Sequence, residues 1–330
     1  MNPEVVVTGG AGFIGSELVH QLAHKGLRVR VIDNLANGKR ENLSDLKAEE
    51  VELVVADIRD SERMQALMAG VAVVYHLACL GVRHSIHSPH ENHEVNATAT
   101  LGLLMAARTA GVSRFIQVSS SEVYGTARSA PMTEEHPTAP ETVYGASKLA
   151  GECYARAFHR TYGYATVVVR PFNAYGPRCH HEGDSGEVIP KFMLRAIAGK
   201  PLAIFGDGMQ TRDFSYVSDT ARGILLAGES ESMIGRTINL GSGRETRILD
   251  LVDLVSNAVG KKSVVQYLPP RPGDVLRIVA DSSRARDLLG YVPEVAMEEG
   301  LRRLADWYKG LGRSVEQMLT EDAVMNWERP

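Results

Sequence analysis

Near its start the chain runs from Val5-Val6-Val7-Thr8 straight into Gly9-Gly10-Ala11-Gly12-Phe13-Ile14-Gly15 and then into a stretch with helical apolar spacing. A strand that turns at once into a helix needs a tight turn, and small residues allow it. They also let a bound group approach the backbone, where the free amides and positive end of the helix attract negative charge. Gly9, Gly12 and Gly15 form a G-x-x-G-x-x-G pattern, and Gly10, Gly12 and Gly15 also fit G-x-G-x-x-G. Asp33 ends the next apolar run, about 20 residues on, where a carboxylate binds both ribose hydroxyls and repels a 2′-phosphate. This constellation predicts a dinucleotide site that prefers NAD to NADP.

The rest of the first half agrees. Continuous apolar runs at 4–8, 28–33, 52–56, 73–77, 114–119 and 165–170 alternate with helical stretches at 13–25, 61–68, 91–110 and 143–162. Runs without polar alternation belong to strands covered by helices on both faces, so the order predicts an α/β protein with a doubly wound parallel (Rossmann) sheet. After residue 170 glycine and proline break the alternation, and residues 171–330 read mainly as a smaller C-terminal substrate-binding domain beside an NAD-binding domain at 1–170. A buried-looking run at 236–240 is expected to rejoin the first sheet. Helices are expected at 249–259, 283–289 and 297–309, and the polar stretch 314–330 as a short helix or frayed tail.

The 330 residues carry a formal charge of -4 and three cysteines, Cys79, Cys153 and Cys179. That balance gives no basic footprint for nucleic acid, and three scattered cysteines give neither a disulfide framework nor a Cys-x-x-Cys metal site. With no apolar run of membrane-spanning length and no signal-peptide pattern, a cytoplasmic protein without a membrane partner is expected. His84, His87, His90 and His93 recur every third residue. On a helix that spacing turns steadily around the axis, and Pro89 interrupts it, so no metal is expected.

Tyr144 and Lys148, four apart on an alanine-rich helix, share a face, and an ammonium beside a phenol favours the phenolate needed for a base near neutral pH. Ser120, at the end of a strand, is placed to hold the same substrate oxygen. These residues sit in motifs, Thr8 to Gly15, Asp57-Ile58, His76-Leu77-Ala78, Ser119-Ser120-Ser121-Glu122-Val123-Tyr124-Gly125, Tyr144-Gly145-Ala146-Ser147-Lys148, Arg170-Pro171-Phe172-Asn173 and Arg271-Pro272-Gly273-Asp274. Together they resemble the extended short-chain dehydrogenase/reductase family of NAD-dependent sugar-nucleotide epimerases and dehydratases over nearly the whole chain.

The resemblance implies a catalytic set of Ser120, Glu122, Tyr144 and Lys148. It implies a cofactor path along Gly9, Gly12, Phe13, Ile14, Gly15, Asp33, Asn34, Asp57, Ile58, Leu77, Ala78 and Asn96, with Tyr144 and Lys148 beside the nicotinamide. On the substrate side, Arg212 and Arg271 are the implied diphosphate clamp, for which a planar fork of donors suits phosphate oxygens. Asn173 and Ser121 are expected at phosphate or sugar oxygens, Val188, Leu202, Ile204 and Phe205 at the base, and Asp274 at the ribose. A symmetric homodimer through the helices at 91–110 and 143–162 is also implied.

Glu122 resembles the glutamate of the family's 4,6-dehydratases and nucleotide-glucuronate decarboxylases. After oxidation at C4 a carboxylate there removes the acidified C5 proton and drives loss of the C6 hydroxyl. The chain is therefore expected to be a sugar-nucleotide 4,6-dehydratase acting on a nucleotide-diphosphate sugar. The alternatives are a 4-epimerase, which needs only Ser120, Tyr144 and Lys148, and a UDP-glucuronate-type decarboxylase, for which Arg83 and Arg277 are the candidate carboxylate partners. A non-catalytic NAD sensor is the alternative of a different class.

Overall fold

The structure is a computed structural model that describes residues 4–328. Arg329 and Pro330, the end of the expected tail, lie outside the described residues. Among the described residues the strands are β1 (Val5–Thr8), β2 (Val29–Asp33), β3 (Val51–Val55), β4 (Val73–His76), β5 (Arg114–Val118), β6 (Thr166–Pro171), β7 (Asn173–Tyr175), β8 (Leu202–Phe205), β9 (Thr211–Tyr216), β10 (Thr237–Leu240), β11 (Glu245–Arg247) and β12 (Val265–Leu268). The helices are α1 (Phe13–His24), α2 (Ser61–Leu67), α3 (Val82–His87), α4 (Pro89–His93), α5 (Ala99–Thr109), α6 (Val143–Tyr162), α7 (Val188–Ile197), α8 (Val217–Glu229), α9 (Ile248–Val259), α10 (Ser283–Leu289), α11 (Met297–Gly310) and α12 (Val315–Leu319).

Seven strands form one parallel sheet in the order β10-β6-β5-β4-β1-β2-β3. Strand periodicity explains its two cores. Val5 and Val7 face one side with Val29, Val31, Val167 and Val169, under α1, α8 and α10. Val6 faces the other with Val74, Phe115 and Val168, under α2, α5 and α6. The first core also takes in Ala221, Ile224 and Leu240, so chain from beyond residue 216 closes this face of the sheet. The strand order reverses between β4 and β1, which opens a crevice at their carboxyl ends.

The helix expected at 91–110 is broken. α4 passes into a π-helical turn, Glu94–Thr98, before α5 begins. The wider turn directs both Asn92 and Asn96 at the Leu80–Gly81 backbone: both side-chain amides donate to the Leu80 carbonyl, and Asn96 accepts from the Leu80 N–H at 2.9 Å. α6, by contrast, spans the expected residues. Thr142 caps its start by accepting from the Gly145 N–H, and Gly163, at φ 64°, ends it.

The second half builds a separate core from α7, α9, α11 and the small sheets β11-β9-β7 and β12-β8. Among the described residues no helix is long and apolar enough to cross a membrane.

Candidate active site

One cavity of about 460 Å³ runs from the β1–α1 turn, past the ends of β4 and β5, into the second half. At its first end Gly9 holds φ +71°, and a Cβ there would lie 2.6 Å from the Ala78 nitrogen. The β1–α1 turn can therefore press against the end of β4 only through glycine. α1 starts at Gly12 with no side-chain cap, leaving its first-turn amides at Phe13, Ile14 and Gly15 facing the cavity. Asp33 stands opposite, its two oxygens accepting from the Ala11 and Leu35 N–H groups at 3.0 and 2.9 Å, and burial raises its pKa above the usual carboxylate value. Asp57 and Ile58 form the neighbouring wall. The Asp57 carboxylate is gripped by Arg59 and Asn34 and its pKa is held down at about 2. Bare amides at a helix start, a side-chain-free approach at Gly12 and a carboxylate at the end of β2 fit a dinucleotide. These residues would hold NAD, with Leu77 and Ala78 continuing the wall.

Asn96 does not reach the cavity. It is 1% exposed and, through its bonds to Leu80, fixes the loop that lines it, so it acts on the wall from behind. Sequence reasoning missed Arg59, which lies two residues after Asp57 and carries its counter-charge.

The middle of the cavity gathers Ser120, Ser121, Glu122, Tyr144 and Lys148. Ser120, two residues past β5, is extended, and its hydroxyl accepts from the Glu122 N–H at 3.2 Å, which fixes the turn that follows. The same hydroxyl favours the ionised form of Tyr144, but burial, Cys79, Glu122 and Glu187 together push the phenol well above its ordinary pKa. Lys148 is 2% exposed and donates to the Val118 carbonyl at 2.7 Å. Burial is the largest of the causes acting on Tyr144, and the Lys148 ammonium expected to favour the phenolate is itself engaged by the Val118 carbonyl.

Glu122 is half-buried. Desolvation raises its pKa, while Arg212, Arg271 and Arg83 pull it down and Asp274 pushes it up. Arg212 and Arg271 both donate to the same oxygen of Asp274, at 2.7 and 2.5 Å, and Arg212 also donates to the Val275 carbonyl at 2.6 Å. Asp274 therefore ties the two guanidinium groups into one fork. The Arg271 Nε and the Asn173 Oδ1 are buried without a hydrogen-bond partner among the described residues, as expected of groups built to meet a ligand. Arg83 also faces the cavity, and burial followed by repulsion from Arg271 lowers its pKa to about 10. Arg277 does not line it; its guanidinium binds Glu245 on the exposed surface.

Of the four residues expected at the base end, Val188 and Phe205 line the cavity. Leu202 and Ile204 do not. Both are 0% exposed in the second core, because alternate residues of β8 face opposite sides, and Ala203 with Phe205 takes the cavity face.

The histidine repeat makes scattered pairs. His84 and His87 meet edge-on at 5.0 Å, His84 faces Glu91 at 3.3 Å and His87 faces Asp184 at 3.0 Å. Among the described residues no group of three or more His, Cys, Asp or Glu side chains is placed to hold a metal ion. His87 instead joins α3 to the loop carrying Glu182, which pairs with Lys39 at 2.6 Å and with His180 at 3.1 Å.

The chain shares this architecture with proteins of known activity. A family model described as GDP-mannose 4,6 dehydratase matches residues 6–304. The UDP-glucose 4-epimerase of Mycolicibacterium smegmatis is 37% identical over 92% of this chain and 98% of its own length. The UDP-glucose 4-epimerase of Thermotoga maritima, solved with UDP-glucose, superposes with a TM-score of 0.88 at 35% identity, covering 94% of this chain and 99% of that one. The dTDP-glucose 4,6-dehydratase of Streptomyces venezuelae, solved with NAD bound, also gives 0.88 at 35% identity, over 93% and 97% of the two chains. Glycine turn, Ser-Tyr-Lys centre and arginine fork occur here on one such frame, and the chain belongs to the extended short-chain dehydrogenase/reductase family of NAD-dependent sugar-nucleotide epimerases and dehydratases.

Proposed function

We propose that the chain is a nucleotide-sugar 4-epimerase, acting through the 4-keto sugar that its family shares. The single observation that carries this reading is the set of side chains the cavity brings together: Ser120, Tyr144 and Lys148, which suffice as the proton machinery of 4-epimerisation, line it beside the Arg212–Arg271 fork. The carboxylate that pairs with the fork is Asp274, and Glu122 stands near it, its pKa raised by burial and pulled down by the same arginines. The names of the relatives lean the same way, toward 4-epimerases over the dehydratase expected from the sequence.

NAD, when bound, would supply the reversible redox chemistry at C4, taking up a hydride and returning it. In this reading Tyr144 takes the C4 hydroxyl proton and later returns it, and Ser120 holds that oxygen. Lys148 contributes a positive charge, and Arg212 with Arg271 anchors the diphosphate while the sugar turns to present its other face.

Dehydration keeps one observation in its favour: Glu122 faces the same cavity as Tyr144 and its carboxyl is raised by burial, as suits a base for the C5 proton. A screen of UDP-, dTDP- and GDP-linked sugars in deuterated water, read by mass and NMR, separates the two. The 4-epimer without loss of water or deuterium at C5, retained in Glu122→Gln and abolished in Tyr144→Phe, is expected. A product lighter by one water, with solvent deuterium in the sugar and lost in Glu122→Gln, would overturn the epimerase reading.

A further inference from the structure

The family match stops at residue 304, yet the cavity does not. Besides the arginine fork it is lined by Phe205 and Lys191 and by Asp322, Val324, Asn326 and Trp327, with Trp327 against Phe205 and Asp322 against Lys191. The four from Asp322 to Trp327 come from the segment after α12, within the stretch expected to be a short helix or frayed tail.

This segment is held in place. The Asn326 side-chain amide donates to the carbonyls of Gly183 and Gly186, both at 3.0 Å, and the Gly183 N–H donates to the Glu321 carbonyl at 3.1 Å. Asp322 Oδ2 accepts from the Arg195 Nε and Nη2 at 2.9 and 2.8 Å. Its other oxygen, on a side chain 2% exposed and 3.3 Å from the Lys191 Nζ, has no hydrogen-bond partner among the described residues. Trp327 packs edge-on to Phe205 with ring centroids 4.8 Å apart, and no hydrogen bond among the described residues uses its indole N–H.

If the sugar reacts at Tyr144 and the diphosphate lies on Arg212 and Arg271, the nucleoside has the part of the cavity lined by Phe205, Asp322 and Trp327 to occupy. What waits there is an aromatic pair, an unused indole N–H and an oriented acceptor beside an ammonium. These suit a flat heterocycle with N–H and C=O groups on its edge. We propose that residues 322–327 form the nucleobase-recognition wall of the substrate cavity, with Trp327 covering the base and Asp322 accepting a hydrogen bond from an N–H on its edge. The inference rests on the nucleotide-sugar reading and is independent of whether the product is an epimer or a dehydrated sugar.

The NAD-loaded full chain is titrated calorimetrically with UDP, dTDP, GDP and inorganic pyrophosphate, the last of which engages only the arginine fork. Trp327→Ala should weaken the preferred nucleoside diphosphate about tenfold, equivalent to about 1.4 kcal/mol, and leave pyrophosphate unchanged. Trp327→Phe should recover most of the loss. In a Trp307→Phe background, where Trp327 is the remaining tryptophan, its fluorescence should change with the nucleoside diphosphate and stay constant with pyrophosphate. Equal weakening of both ligands, or no weakening of either, overturns the wall. If the unaltered chain binds pyrophosphate but no nucleoside diphosphate, the nucleotide-sugar reading falls and takes this inference with it.

Discussion

Replacing Gly15 by alanine should damage the protein itself, whereas the same change at Gly12 should damage only its hold on NAD. A Cβ at Gly15 would sit 2.1 Å from the Gly9 carbonyl oxygen and 2.9 Å from the Gly10 Cα. That oxygen has to move by about an ångström, an overpacking strain of roughly 1–3 kcal/mol. It also accepts from the Gly12 N–H at 3.1 Å, and losing that bond costs about 1 kcal/mol more. Alanine's better helix propensity returns up to about 1 kcal/mol, which leaves a net loss of about 1–3 kcal/mol. Gly9 cannot retreat, since its other side already presses on Ala78. At Gly12 the nearest atom to a new Cβ is 3.2 Å away and φ is -77°, so the fold has only to give by a few tenths of an ångström. Thermal melting without added NAD should show Gly15→Ala lowered by roughly 2–4 °C per kcal/mol and Gly12→Ala near the parent. Calorimetric titration should show NAD weakened about tenfold or more in Gly12→Ala. A parent-like melt for Gly15→Ala, or a greater loss of stability in Gly12→Ala, would refute the steric reasoning.

Three further outcomes are expected. Asp33→Ala should narrow the preference for NAD over NADP, measured as the ratio of dissociation constants at fixed salt, and an unchanged ratio would remove Asp33 from the discrimination. His76 bonds Thr8 and Thr100 at 2.7 and 2.9 Å, and burial lowers its pKa to about 3. As pH falls below the ordinary histidine value of about 6.5 the unfolded chain takes up a proton that the folded chain refuses, so about 2 kcal/mol is lost between pH 7 and pH 5. Denaturant unfolding of His76→Gln should lack that share of the acid sensitivity, and identical pH profiles would contradict it. Met105 on α5 and Tyr162 at the end of α6 are 57% and 52% exposed, apolar and aromatic surface suited to a homodimer through these helices. Light scattering at micromolar concentration should give twice the 35.9 kDa chain mass, and Met105→Glu should shift it toward the monomer.

The first sheet was legible because its strands are buried on both faces and so appear as unbroken Val and Ile runs. α6 was legible because Thr142 and Gly163 mark both its ends. α8 gave no such signal: Val217 follows β9 without a turn, and Tyr216 at its N-cap makes no side-chain capping bond. α7 carries Pro190 in its first turn, where proline is tolerated but reads as a break. The π-helical turn at Glu94–Thr98 is set by the bonds of Asn92 and Asn96 to Leu80, a tertiary contact that local spacing does not encode. In the site, motif residues were found, while neighbours that act through space were not. Glu187, Arg59 and Trp327 join the cavity from three separate stretches of chain.

β10 pairs with β6 across some 70 residues, Thr237 beside Val168 and Leu240 beside Pro171. During synthesis, then, β6 emerges as an edge strand with bare amides and carbonyls, and Val167 and Val169 lack the cover that α8, Leu240 and Tyr291 later give. At about 5–20 residues per second the ribosome needs roughly 6–24 s to pass from residue 171 to residue 291. For that interval the nascent chain carries a nearly complete nucleotide-binding sheet with one sticky margin. Agents that bind exposed strand edges should act on it most strongly then, and a chain released before residue 240 should be prone to pair with its own copies.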